Sequence, residues 1–326
     1  MVINWIDWMK VLGMFTIIWG HCFPHLFSEL LYSFNVPVFF FLSGYLTKRE
    51  RENKVFWKKL VVGLLIPYLV LSVLKASPNI FSSDGLWSLF AILTGFHTFN
   101  DVLGCGKLWF VYTLLIIKIV FHYSNDTKGG RYAMYAVSLI GAASYHFANI
   151  ELTWAVTNTF LAMPWFLLGQ EYKQYNCDKV LTEVLGKMGP LKTACIAIFA
   201  LLATYIVSFY NGRAYMYRGE FGNNFVLFLL AGLLGILFIL LLSKSMDRHS
   251  NKCLRLLSVG TIVILAYHQD VNHPLLKFVR QSELPAFYED IATFGCSVIT
   301  LLSFVPIIYI ISRYLPVLIG NRKINP

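Results

Sequence analysis

The stretch "WGHCFPHLFSELLYSFNVPVFFFLSGYL", Trp19 to Leu46, decides how this chain is read. It sets His21 inside an apolar run. It then continues through Phe39-Phe40-Phe41-Leu42 to Ser43-Gly44-Tyr45. An ionisable side chain in lipid is costly, and its default reading is functional. Composition makes lipid the solvent here. The 326 residues are 57% hydrophobic and 13% charged, whereas soluble domains carry about 25% charged residues. A net charge of +10 would point to nucleic acid in a soluble protein. In this chain the basic residues fall in short gaps between apolar runs, which is the pattern of membrane topology.

Working outward, ten stretches are apolar enough for spans: 9–28, 31–47, 58–76, 108–124, 132–150, 152–170, 190–212, 221–243, 256–271 and 290–312. A shorter one, 85–100, lies between Ser82-Ser83-Asp84-Gly85 and Asn100-Asp101. If 85–100 does not cross and the N-terminus is cytoplasmic, the inner segments hold 20 Lys and Arg and the outer ones 6. If it crosses, every later basic loop faces outward. The charge rule therefore predicts an all-α integral membrane protein with about ten spans. It places both termini in the cytoplasm and makes 85–100 a re-entrant or interfacial helix. The start lacks the basic tip and small-residue cleavage site of a signal peptide and reads as a retained span. The segment 171–189 reads as an amphipathic surface helix. No appended soluble domain is expected, so 1–326 forms one transmembrane domain. The six cysteines are scattered without CxxC spacing, which supports neither a disulfide framework nor a metal site.

Asp7, Lys10 and His21 share a helix face. At 100° per residue, Lys10 to His21 misses whole turns by about 20° and Asp7 to His21 by about 40°. Lys10 lies about 16 Å along the axis from His21. That face cannot meet lipid and should line an internal cavity. An imidazole there can take a proton from a hydroxyl; a core histidine bonded to a carbonyl is the plainer alternative. His25, one turn later, reads as interfacial. Ser43 and Gly44 are small enough for close helix packing, and Ser43 also offers a donor. Phe39, Phe40 and Phe41 point in three directions, so some should face protein and some lipid. Trp109 is a further candidate, or an interface anchor. His268 and Asp270 read as a pair of hydrogen-bonding groups, or as a water-facing helix end.

These motifs resemble those of the acyltransferase-3 family of integral membrane acyltransferases, near its sugar and fucose O-acetylase-like branch. The family's basic residue, ten residues, histidine pattern appears as Lys10 to His21 in "IDWMKVLGMFTIIWGH". Many members carry arginine where Lys10 stands. The Pro-hydrophobe-Phe-Phe-Phe-Leu-Ser-Gly-aromatic segment appears in "NVPVFFFLSGYL", with Asn35 where members often carry histidine. "WKKLVVGLLIPYL", "KLWFVYTLL" and "VGTIVILAYH" follow in the family's order. The resemblance implies transfer of an acetyl or other acyl group, usually from acetyl-CoA and without a metal, onto a carbohydrate or glycolipid hydroxyl of the cell envelope. It implies His21 and Lys10 as catalytic; Asp7, on the same face, is expected either to join that catalytic set or to hold Lys10 in a structural role. Asn35, Ser43, Trp109, His268 and Asp270 then stand near substrate. The basic groups Arg49, Arg51, Lys54, Lys58 and Lys59 are expected to meet CoA phosphates, or to serve topology alone. The expected partners are the bilayer and the glycan acceptor, with no nucleic acid, and the expected location is the inner membrane. A proton-coupled transporter is the alternative that an intramembrane histidine also fits. A membrane scaffold would leave Asp7, Lys10 and His21 without a role.

Overall fold

A computed structural model describes residues 4–80, 85–94, 108–124, 127–148 and 156–320. The regular structure among them is helical. The helices are α1 (Asn4–Gly20), α2 (Ser28–Leu46), α3 (Asn53–Leu60), α4 (Ile66–Ile80), α5 (Gly85–Thr94), α6 (Trp109–Tyr123) and α7 (Lys128–Ala148). They continue with α8 (Val156–Gln174), α9 (Cys177–Asn211), α10 (Phe225–Ser245), α11 (Lys252–Val259), α12 (Thr261–Gln281) and α13 (Ala286–Tyr314). Among the described residues, five helical stretches are long and apolar enough to cross a membrane: α2, the run from α3 into α4 (Asn53–Ser77), α9, α10 and α13. Within the segment expected to be re-entrant or interfacial, residues 85–94 are helical as α5, and the rest of 85–100 lies outside the described residues.

Several expected boundaries move, each for a local reason. The first span, expected at 9–28, ends at Gly20. Phe23 adopts a left-handed φ of 51°, which breaks the helical path, and Pro24 has no N–H to bond back to the preceding turn. His21 is therefore the first residue past the end of α1, not a mid-span residue. The span expected at 256–271 is two helices meeting at Gly260. Between α3 and α4, Val61–Leu65 forms one π-helical turn. In α9, Gly189 (φ 78°) and Pro190 kink the chain, so the part from Cys177 to Met188 departs from the axis of the remainder.

α1 is the central strut, in contact with α2, α10, α11, α12 and α13. Its Trp5 and Met9 belong to one apolar core with α2, α6, α8 and α10. Its Val11, Met14, Ile17 and Ile18 belong to a second core with α4, α11, α12 and α13. The aromatic run on α2 serves this seam. Phe39 meets Phe110 (6.0 Å between rings), Phe40 meets Phe110 (4.4 Å) and Trp109 (6.3 Å), and Phe41 meets Tyr172 (5.4 Å). All three rings are buried in protein, so the expectation that some would face lipid is corrected. Lipid tails are as apolar as phenylalanine, so dispersion and shape rather than exclusion from water hold such contacts. The sequence supplies the shape through two glycines. A Cβ on Gly44 would overlap the Phe166 carbonyl, and one on Gly169 would overlap the Phe41 carbonyl. α2 and α8 thus touch backbone to backbone. Gln170 locks the pair by donating its Nε2 to the carbonyls of Gly44 and, at 2.9 Å, Thr47. These carbonyls lie at the C-terminus of α2, where helical partners run out; that of Gly44 also accepts the Thr47 N–H at 3.1 Å.

Candidate functional site

The start of α1 is fixed by Asp247, whose carboxylate accepts the Trp5 N–H at 2.7 Å, a favourable position for a negative charge. One turn on, Asp7 accepts a hydrogen bond from Ser258 Oγ and ties α1 to α11. At the other end the turn after Gly20 is pinned by Asp290, which is fully buried. Its two oxygens accept the N–H groups of His25 (2.6 Å) and Leu26 (2.8 Å). His25 is exposed and pairs with Glu289 at 3.1 Å. Asn35 is buried, and its side chain packs on Gly20, one residue before His21.

Between these anchors lies a cavity of about 150 Å³. Lys10, His21, Ser43 and Trp109 all line it, together with Gly63 of the π-turn and Thr261 at the start of α12. Its remaining walls are mainly apolar, with Met14, Ile17, Phe39 and Leu265 among them. A Cβ on Gly63 would meet nothing within 4 Å, so that turn leaves open space. A π-turn at such a position is a frequent mark of a functional site.

The histidine geometry fixes a tautomer. His268 is fully buried, and its Nδ1 faces the carbonyl oxygens of Ile264 (2.9 Å) and Leu265 (3.0 Å). Both are acceptors, so Nδ1 carries the hydrogen and neutral His268 presents a lone pair at Nε2. Nδ1 of His21 lies 2.9 Å from the Ile17 carbonyl and 3.1 Å from Nε2 of His268. Again both partners accept, so Nδ1 of His21 donates. This assignment follows from the partners, and it leaves the basic lone pair of neutral His21 on Nε2. A proton gained there gives an imidazolium whose Nδ1–H is already held by two acceptors.

His268 and Asp270 have different partners. Asp270 pairs with Lys75, while His268 backs His21 from outside the cavity lining. Among the five basic residues expected to meet CoA, Arg49 donates to the carbonyls of Ser124 (2.6 Å) and Phe121 (2.9 Å). Lys59 pairs with Glu50 at 2.7 Å. Arg51, Lys54 and Lys58 are exposed, and none of the five lines the cavity. Sequence reasoning missed Gly63, Thr261 and Asp290. Gly63 sits in a plain apolar run, and Asp290 appeared only as the edge of a span. No group of three or more His, Cys, Asp or Glu suited to a metal occurs among the described residues.

Residues 3–318 match the profile of the acyltransferase-3 family, described as an acyltransferase domain. The chain belongs to this family of integral-membrane acyltransferases. No curated protein and no solved structure matches it significantly. Acyltransferase-3 membership covers almost the whole chain, so the cavity at the α1–α2 seam lies within the matched region.

Proposed function

We propose that this chain is a membrane O-acetyltransferase that moves an acetyl group from acetyl-CoA to a hydroxyl of an envelope carbohydrate or a lipid-linked precursor. The observation that carries the reading is His21, with Nδ1–H held by Ile17 and His268 and its basic nitrogen left at Nε2, on the wall of a narrow cavity that also contains Lys10. Nε2 takes the proton of an acceptor hydroxyl as its oxygen attacks the thioester carbonyl. The tetrahedral species collapses, the C–S bond breaks, and the proton on Nε2 passes to the departing CoA thiolate. The cavity suits the acyl-thioester end of the donor: it is slim, largely apolar, open at Gly63 and cationic at Lys10. The nucleotide end stays outside, within reach of the basic segment that contains Arg49, Arg51, Lys54, Lys58 and Lys59. Ser43 and Trp109 offer the donor arm polar contacts. Asp7 serves by holding α1 against α11.

For the membrane, α1, α6, α7, α8 and α12 would join the five long apolar stretches to make ten spans. The split of 20 to 6 basic residues supports cytoplasmic termini in an inner membrane. The test is labelled acetyl-CoA supplied to inverted vesicles containing the full chain. Label transferred to a glycan is expected. Solute uptake without acetylation would instead favour a carrier.

A further inference from the structure

His21 borders a second group of residues that does not line the Lys10 cavity. The ring of Tyr32 stands edge-on to His21 at 6.2 Å. Tyr32 stacks with Phe23 (6.1 Å, 23° between planes) and meets Tyr215 at 5.2 Å. The Arg213 guanidinium lies between these rings, 5.8 Å from Phe23 and Tyr32 and 5.7 Å from Tyr215. It donates to the Tyr215 hydroxyl at 2.8 Å and to Glu29 at 3.2 Å. About a third of each charged side chain remains exposed, at 30% for Arg213 and 33% for Glu29.

Two features separate this group from an ordinary belt of interfacial aromatics. First, Phe23 is 45% exposed and holds a left-handed φ of 51°. Such strain in a bulky residue persists only where the surroundings impose it, and it clusters at ligand sites. Secondly, the segment carrying Arg213 and Tyr215 is not helical yet is firmly anchored. Buried Asn158 donates to the carbonyls of Met216 (2.6 Å) and Tyr217 (2.8 Å). Buried Asn211 donates to Phe221 at 2.7 Å and accepts from Asn224 N–H at 2.8 Å. The rings therefore face one another and a charge pair on a fixed frame, two residues from His21.

We propose that these residues form the acceptor subsite and that its ligand is an uncharged pyranose ring. A pyranose has apolar C–H faces that pack on aromatic rings and hydroxyls at its rim. Phe23 and Tyr215 supply the rings, Arg213 donates to hydroxyls, and Glu29 accepts from them. Glu29 also neutralises Arg213, which favours a neutral sugar over an anion. One ring hydroxyl then reaches Nε2 of His21, with the donor arm arriving through the Lys10 cavity. This assignment rests on the reading of His21 as base, but sugar binding is measurable without any acyl donor.

The experiment is saturation-transfer NMR on the full-length protein in detergent micelles, with the methyl pyranosides of glucose, galactose, mannose and fucose and no acetyl-CoA. Saturation of the ring C–H protons of at least one glycoside is expected. Phe23→Gly and Tyr215→Leu should weaken its binding about tenfold or more. Glycine adopts the Phe23 backbone conformation without strain, so loss in that variant is not misfolding. Phe199→Ala, at a ring 70% exposed on α9, should bind as wild type. No saturation in wild type, or binding in both ring variants as strong as in wild type, overturns the subsite. Glycoside binding that depends on both rings, together with no acetyl transfer in vesicles, leaves the subsite standing and removes the acetyltransferase.

Discussion

Replacing His268 by leucine tests the two-histidine arrangement. The side chain is fully buried, and its Nε2 lies 3.1 Å from Nδ1 of His21. Leucine is of similar size, so the cavity left is small, but the acceptor is gone. Nδ1–H of His21 keeps the Ile17 carbonyl at 2.9 Å. The carbonyls of Ile264 and Leu265 that lose the His268 donor lie on the same helix, where backbone bonding continues. The main loss is thus one hydrogen bond to an imidazolium present only while the proton is in transit. A hydrogen bond to a charged group contributes about 1.5–3 kcal/mol, and about 1.4 kcal/mol is tenfold in rate. His268→Leu should lower kcat about tenfold to a hundredfold. KM for acetyl-CoA should change little, since His268 does not line the cavity. His268→Gln, whose amide oxygen can accept from Nδ1–H, should recover part of the rate. The assay is initial-rate acetyl transfer with both substrates varied, on protein matched for expression and thermal stability. A leucine variant within about twofold of wild-type kcat, or a glutamine variant no better than leucine, would refute the reasoning.

Three further outcomes follow from the packing. Gly44→Ala forces α2 from α8 at the Phe166 carbonyl and should cost about 1–3 kcal/mol or more, seen as a lower Tm in detergent; an unchanged Tm contradicts the backbone contact. Gly63→Leu fills the open space in the π-turn and should raise KM for acetyl-CoA roughly tenfold while Tm holds. Unaltered donor kinetics would place the donor elsewhere. Asp290→Ala leaves the N–H groups of His25 and Leu26 without their acceptor and should destabilise by about 1–3 kcal/mol or more. Faster hydrogen exchange confined to 21–28 would report it.

Much of the seam was legible in the sequence because it depends on helical periodicity. The Lys10–His21 register holds even though α1 stops at Gly20, since His21 still bonds back to Ile17. Other features were hidden by distance in the chain. His21 and His268 are 247 residues apart, and no periodicity relates them. His268 and Asp270 looked like a pair because they are close in sequence. Two steps on a helix are about 200°, which sends them to different faces. The Phe39–Phe41 run could not declare its surroundings, because lipid and protein interior are equally apolar. The 48–59 charges were legible as a sign bias. The use of Arg49 to cap the carbonyls at the end of α6 belongs to tertiary structure alone.

The most direct test of the account is acetyl transfer by His21→Ala. Vesicles carrying equal amounts of wild-type and variant protein receive labelled acetyl-CoA, and label in the glycan is counted. Loss of a general base costs about 10²–10⁴ in rate, so the variant should fall to near background while remaining folded in the membrane. Near-normal labelling by a stably inserted His21→Ala protein would contradict the central claim and remove His21 from the chemistry.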